Sequence, residues 1–106
     1  MKISSNFDAG SIEVIALNNF EDIQLRIRKD NASDFAQWFY FRLQGAAYEL
    51  CKLRFLNIKE TAYPKGWEDY QAVASYDRVN WFRVPTSYDG KVMTIEHTPG
   101  MDSVYY

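Results

Sequence analysis

The chain has 106 residues, of which 47% are hydrophobic, and its formal net charge at pH 7 is -2. This length suits one domain with one core, and the apolar content excludes a disordered chain. The nearly balanced charge, with no basic block, argues against nucleic acid or an anionic membrane as the main partner.

The first part of the chain alternates with the period of a β-strand. A β-rich run, SIEVIALN, ends at two asparagines. In the next run, Ile23, Leu25 and Ile27 face one way and polar residues face the other, as in a strand with one wet face. The segment KDNASD that follows has the composition of a loop.

Residues 37–45, QWFYFRLQG, contain four consecutive aromatic residues. Their period is again two, so Phe39, Phe41 and Leu43 share one face of a predicted strand, and we expect that face to pack in the core. The run after the next turn, YELCKLRFLNI, alternates as well. We predict that these two runs pair as the arms of a hairpin.

The second half begins with a polar loop marked by proline and glycine, KETAYPKGWEDY, and continues with short strands separated by turns. Asp89-Gly90 lies in one of these turns and is a strong hairpin signal. The whole pattern predicts an all-β fold, an antiparallel β-sandwich of about seven to nine short strands in a single domain. Because the last strand stops at Tyr105-Tyr106 without a polar tail, we expect the natural chain to continue.

The chain is predicted to be cytoplasmic. Its N-terminus lacks the apolar segment of a secretory signal. No window approaches the roughly 18 apolar residues of a membrane helix. The single cysteine, Cys51, allows no internal disulfide, which is typical of a reducing compartment.

We predict no catalytic residue and no metal ligand in this chain. Its one histidine is His97, whereas a zinc site built from protein ligands usually needs two histidines or several thiolates. Glu96 and His97 are neighbours on a strand, so their side chains face opposite ways. No nucleophile elbow or phosphate-binding loop is present.

Aromatic side chains are the remaining functional candidates, because they can stack on sugars or on the side chains of a partner. The alternative is that they close the ends of a small sandwich. Trp38 and Tyr40 lie opposite the predicted core face, so their face needs a covering layer or an interface. The candidate interface or binding residues are Trp38, Tyr40, Tyr63, Trp67 and Trp81.

Four segments together resemble one known family. They are SNFDAGSIEV, SDFAQWFYFRL, YPKGWEDYQAVASYDRVNWFRVPTSYDG and IEHTPGMDSVYY. In this order and spacing they are similar to the N-terminal domain of cytosolic carboxypeptidase-like zinc metallocarboxypeptidases of the bacterial branch. The resemblance covers essentially the whole chain, 1–106.

The resemblance implies a β-sandwich that precedes a peptidase domain, which binds one zinc and hydrolyses C-terminal peptide bonds. The zinc ligands of that family, a His-x-x-Glu motif and a later histidine, have no counterpart in this sequence. The expected function is therefore that of a non-catalytic domain that packs on its own C-terminal carboxypeptidase domain and shapes access to its cleft. Zinc is expected in that absent domain and no cofactor in this chain.

Two further expectations remain. An isolated domain without its partner should expose an apolar patch near the two termini and the last strand, and this patch should favour self-association. The alternative function is a free-standing binding module that uses its loop aromatics on a glycan or a peptide.

Overall fold

A computed structural model describes residues 1–28, 38–58, 67 and 69–106. The described residues form ten strands in chain order: β1 (Lys2–Ser4), β2 (Glu13–Asn19), β3 (Asp22–Arg26), β4 (Arg42–Gln44), β5 (Cys51–Phe55), β6 (Val73–Ala74), β7 (Phe82–Arg83), β8 (Thr86–Tyr88), β9 (Met93–His97) and β10 (Ser103–Tyr105). The prediction of an all-β single domain is confirmed, with slightly more strands than the predicted seven to nine. In this part of the chain, no helix is long and apolar enough to cross a membrane.

The strands form two main layers. The first is a five-stranded sheet in the order β2-β3-β5-β9-β8, and the second contains β1-β4-β10. The pair β6-β7 joins the second layer, because Ser75 and Tyr105 exchange backbone hydrogen bonds of 2.9 and 2.8 Å. As a result β10 has β4 on one side and the β6 end on the other.

One core lies between the layers. Ile23, Leu25 and Ile27 are buried as the alternation predicted. Phe41 and Leu43 from the second layer are fully buried in the same cluster. The Phe41 and Phe55 rings meet across the layers with centroids 6.2 Å apart. The predicted core face of residues 37–45 is therefore confirmed for its described members, with Phe39 half-buried against the same core.

The predicted hairpin between the QWFYFRLQG and YELCKLRFLNI runs is wrong. β4 pairs with β1 and β10, whereas β5 pairs with β3 and β9. Both runs bury alternate residues, but they do so from opposite layers, and a period of two does not distinguish facing strands from paired ones. The strand is also shorter than predicted, since β4 begins at Arg42.

The prediction was of antiparallel strands, but the five-stranded sheet is mixed. Its strands β3 and β5 pair in parallel. The chain leaves the first layer after β3, contributes β4 to the second layer, and returns beside β3 in the same direction. Asn57 prolongs this parallel pairing: its Nδ2 donates to the Ile27 carbonyl at 2.8 Å and its Oδ1 accepts from the Ile27 amide at 2.9 Å.

The turn predicted at Asp89-Gly90 is confirmed. It joins β8 and β9, which pair antiparallel. Gly90 has a φ of 94°, a backbone conformation that glycine adopts without strain. Asp89 accepts hydrogen bonds of 2.8 Å from the amides of Lys91 and Val92, and these bonds lower the pKa of its carboxyl.

Candidate interface groove

A groove of about 320 Å³ opens where β10 ends, between β6 and the segment that leads into β4. We call it the aromatic groove. Its lining residues are Phe39, Tyr40, Tyr70, Val73, Trp81 and Tyr106. Five of the six are aromatic, so the groove presents mainly ring surface to whatever occupies it.

The outer wall of the groove is a cluster of rings around Tyr40. The Tyr40 ring centroid lies 6.0 Å from that of Trp81, 5.0 Å from that of Phe7 and 6.3 Å from that of Tyr105. The Arg78 guanidinium carbon lies 5.1 Å from the Tyr105 centroid and 5.7 Å from the Phe7 centroid, within reach of a cation–π interaction. This wall therefore combines apolar surface with one fixed cation.

A turn before β7 holds Arg78 in place. Asp77 accepts hydrogen bonds of 2.8 Å from the amides of Asn80 and Val79, and these bonds lower the pKa of its carboxyl. The Arg78 amide donates at 2.8 Å to the buried Ser75 hydroxyl, and Arg78 has a φ of 64°. These hydrogen bonds define a turn at residues 77–80, and it fixes the backbone beside the groove.

The inner wall is built on Phe39. Its ring centroid lies 4.6 Å from that of the buried Phe55, 6.3 Å from that of Trp67 and 6.4 Å from that of Tyr70. The Trp67 and Tyr70 rings meet edge to face at 4.8 Å. Burial raises the pKa of Tyr70, so its hydroxyl stays neutral. The inner wall is thus continuous with the hydrophobic core.

Tyr106 lines the groove directly after the last residue of β10. Its hydroxyl is 2.7 Å from Nδ1 of His97. Burial lowers the pKa of His97 and raises that of Tyr106, so both partners of this hydrogen bond are favoured in their neutral forms. The Phe82 ring also lies 5.7 Å from the His97 ring, between centroids.

The residues around His97 do not fit a zinc site. Its Nδ1 is occupied by the Tyr106 hydroxyl, and aromatic rings surround the imidazole. Burial raises the pKa of the Cys51 thiol to about 11, which disfavours the thiolate that zinc requires. Within the described ranges, no group of three or more His, Cys, Asp or Glu side chains could hold a metal ion.

The structure unites some of the candidate aromatics and separates others. Tyr40 and Trp81 meet in the outer wall, and Trp81 is 41% exposed. Trp67 belongs to the inner wall through Phe39. Trp38 is 44% exposed but does not line the groove. Tyr63 lies outside the described residues.

Sequence reasoning missed Phe7, Val73, Arg78 and Tyr106 as members of this site. Phe7 and Arg78 contact the Tyr105 ring of β10, and Tyr106 directly follows that strand. No local sequence pattern specifies that β10 lies between β4 and β6. An isolated bridge just before β4 could not be predicted from the sequence either. In it, Tyr40 exchanges backbone hydrogen bonds with Ser11, 29 positions earlier in the chain.

Comparison with known proteins gives consistent matches. A metallo-carboxypeptidase from Burkholderia cenocepacia superimposes with a TM-score of 0.97 at 61% identity, over 99% of this chain and 28% of that one. A metallo-carboxypeptidase from Pseudomonas aeruginosa, solved in complex with (2-guanidinoethylmercapto)succinic acid, gives 0.95 at 40% identity, over 99% and 28%. An uncharacterized protein from Zymomonas mobilis is 42% identical over all 106 residues, which are 28% of its length.

These relatives are longer proteins, since this chain spans little more than a quarter of each. A family model described as the cytosolic carboxypeptidase N-terminal domain matches residues 3–106. The resemblance seen in the sequence is confirmed at the level of both sequence and fold. The chain belongs to the cytosolic carboxypeptidase N-terminal domain family.

Proposed function

We propose that this chain is the non-catalytic N-terminal domain of a longer zinc-dependent metallocarboxypeptidase of the cytoplasm, and that it packs on the peptidase domain and shapes access to its cleft. The observation that carries the proposal is the aromatic groove, whose outer rim includes the exposed Trp81. A surface of this kind is typical of an interface. The proposed partner is a peptidase domain, because the chain belongs to an N-terminal domain family and its relatives are longer proteins.

In this role the chain contributes contact surface and no reacting group. Tyr40 and Trp81 offer rings that can pack against apolar side chains of the longer protein beyond this chain, and Arg78 offers a cation beside them. Rigid presentation of these groups lowers the entropy lost on docking. The zinc of the enzyme is held by the peptidase domain, and no step of the hydrolysis is assigned to residues of this chain.

The test of docking is to compare the full-length parent with its peptidase domain expressed alone. We expect the isolated peptidase domain to lose solubility and activity, because its contact surface is exposed. In the full-length protein, Trp81→Ser should lower the melting temperature, while Tyr48→Ser, at a residue that is 79% exposed on another loop, should leave it unchanged. A peptidase domain that is as soluble and active alone as in the whole protein contradicts the proposal.

The absence of a metal role for this chain has its own test. Calorimetric titration of the 106-residue chain with zinc should show no tight, stoichiometric binding. The expectation rests on the surroundings of His97, since no group of three or more His, Cys, Asp or Glu side chains among the described residues could hold a metal ion. A one-to-one site would overturn it.

The second candidate function is a binding module that acts without a peptidase domain. The observation in its favour is that Tyr40 and Trp81 line an open groove, an arrangement that can also hold a glycan or an extended peptide. Tryptophan fluorescence of the chain, measured against panels of glycans and peptides, separates the two functions. Stacking on Trp81 should shift its emission, whereas a docking surface should remain silent to these ligands.

A further inference from the structure

The aromatic groove lies on the line along which β10 would continue. In the pairing of β10 with β4, Val104 is opposite Leu43 and Tyr105 is opposite Arg42. Tyr106 extends the ladder by one residue: its amide donates to the Phe41 carbonyl at 3.0 Å, and its carbonyl accepts from the Phe41 amide at 3.1 Å. The next two residues of such a strand would lie opposite Tyr40 and Phe39.

On the β4 side of the groove, the alternation of the ladder leaves the backbone amide and carbonyl of Phe39 free to pair with a further residue of β10. Tyr40 directs its amide and carbonyl away from β10 and bonds Ser11 at 3.0 and 2.7 Å. Phe41 directs its own groups toward Tyr106. Successive residues of an antiparallel ladder alternate in this way, so the amide and carbonyl of Phe39 point into the groove. Neither has a hydrogen-bond partner among the described residues.

On the opposite side, β6 presents a matching pair of groups. The Ser75–Tyr105 bridge is hydrogen-bonded in both directions. Two residues further along the same ladder, Val73 would face the first residue after Tyr106. The Val84 amide donates to the Ala72 carbonyl at 2.9 Å, so the alternation turns Val73 away from β7 and toward the groove.

We propose that the aromatic groove is an open strand slot, and that the residues directly following Tyr106 in the longer protein fill it as a continuation of β10. The first of them pairs with Val73 and the second with Phe39, so that four backbone groups that face the groove gain partners. The inference rests on the proposed function in one respect, that the polypeptide continues as it does in the longer relatives.

The two walls define the chemistry of this segment. Side chains alternate along a strand, so the first residue after Tyr106 faces the same way as Tyr105, toward the outer wall of Tyr40 and Trp81. The second residue faces the same way as Tyr106, toward Phe39. Both walls are aromatic, so the slot selects apolar side chains at both positions. Filling it carries β10 to the open end of the groove, where the chain then leaves the domain.

Amide hydrogen exchange measured by NMR tests the slot with three chains. The first ends at Tyr106, the second carries in addition the four residues that follow it in its own reading frame, and the third has proline at the first two of those positions. We expect exchange at Phe39 and Val73 to be slower in the second chain by about tenfold or more. The third chain should behave as the first, because proline has no amide and is excluded from the interior of a sheet. The Lys52 amide, which is bonded to the Phe20 carbonyl in the five-stranded layer, serves as an unchanged control.

Equal exchange at Phe39 and Val73 in all three chains would overturn the proposal. Tryptophan fluorescence provides a second readout, since a strand in the slot covers the Trp81 indole and should shift the emission of the chain to shorter wavelength in the second chain only. The four added residues contain no peptidase domain. Failure of this test is therefore distinct from failure of the proposed function, which depends on the two domains together.

Discussion

The hydrogen bond between His97 and Tyr106 connects the end of β9 to the aromatic groove. Burial favours the neutral imidazole by lowering the pKa of His97 below its ordinary 6.5. Tyr106 in turn pairs with Phe41 on both of its backbone groups. At the scale of single residues, protonation of His97 therefore places a charge in a half-buried site beside the groove.

This charge predicts a loss of stability in mild acid. Because the folded pKa of His97 lies below 6.5, the unfolded chain takes up its proton first, so the stabilising contribution is complete above pH 6.5 and declines as the pH falls below it. Asp22 and Asp77, whose pKa values are lowered from 3.8, contribute only in stronger acid. Urea unfolding between pH 7 and 5 should show the decline.

His97→Asn is the matched variant for this measurement. Its side-chain oxygen can accept the Tyr106 hydroxyl hydrogen bond but does not titrate in this range. We expect its free energy of unfolding to change less between pH 7 and 5 than that of the natural chain. An identical slope for both chains would show that His97 is not the group responsible.

Gly10 makes a second prediction at the residue scale. A Cβ at this position would lie 2.1 Å from the Ser5 carbonyl oxygen, a backbone atom that cannot move alone. Gly10→Ala should therefore destabilise the chain by about 1–3 kcal/mol, the usual cost of overpacking. Gly100→Ala is the control, because its Cβ would lie 3.6 Å from the Tyr76 hydroxyl in ordinary contact. Thermal unfolding compares them, and equal melting temperatures would refute the steric argument.

At the scale of elements, the alternation of residues predicted what each strand buries but not which strand lies beside it. Ile23, Leu25, Phe41 and Leu43 are buried as expected. The partner of β4 could not be read in the same way, because its neighbours β1 and β10 come from the two ends of the chain. The residues of the groove could be predicted only in part for the same reason. Tyr40 and Trp81 were candidates because they are aromatic, whereas Val73 and Tyr106 line the groove because of the order of the strands.

The parallel pairing of β3 with β5 gives a prediction at this scale. The Asn57 side chain supplies both hydrogen bonds to the Ile27 backbone just beyond the two strands. Asn57→Leu would bury the Ile27 amide and carbonyl without partners, at about 1–3 kcal/mol for each group. Urea denaturation measures the loss. Asn6→Leu, at an exposed asparagine, is the control, and an equally small effect of both substitutions would contradict the role of Asn57.

At the scale of the whole molecule, apolar surface remains exposed at more than one place. Met1 and Met101 are exposed near the turn after β4. β2, which lies at one edge of the five-stranded sheet, exposes Val14, Ile15 and Leu17. An edge strand with apolar side chains is a template for pairing with another chain.

We therefore expect the isolated chain to self-associate at high concentration. Ile15→Lys should shift the equilibrium toward the monomer, because a lysine on an edge strand opposes edge-to-edge pairing. Val79→Lys adds the same charge at a residue that is 78% exposed on a turn and should leave the equilibrium unchanged. Sedimentation velocity measures both, and a strict monomer for the natural chain at high concentration would refute the expectation.

The position of β4 between β1 and β10 has a consequence for synthesis on the ribosome. β1 is made first and can pair with β4 as soon as residues 42–44 emerge, but the other edge of β4 has no partner until residues 103–105 have followed. For most of its synthesis the domain therefore presents a half-built layer with a free edge. This layer is completed only when the last strand of the domain has emerged, and until then the nascent chain offers chaperones one free edge of β4.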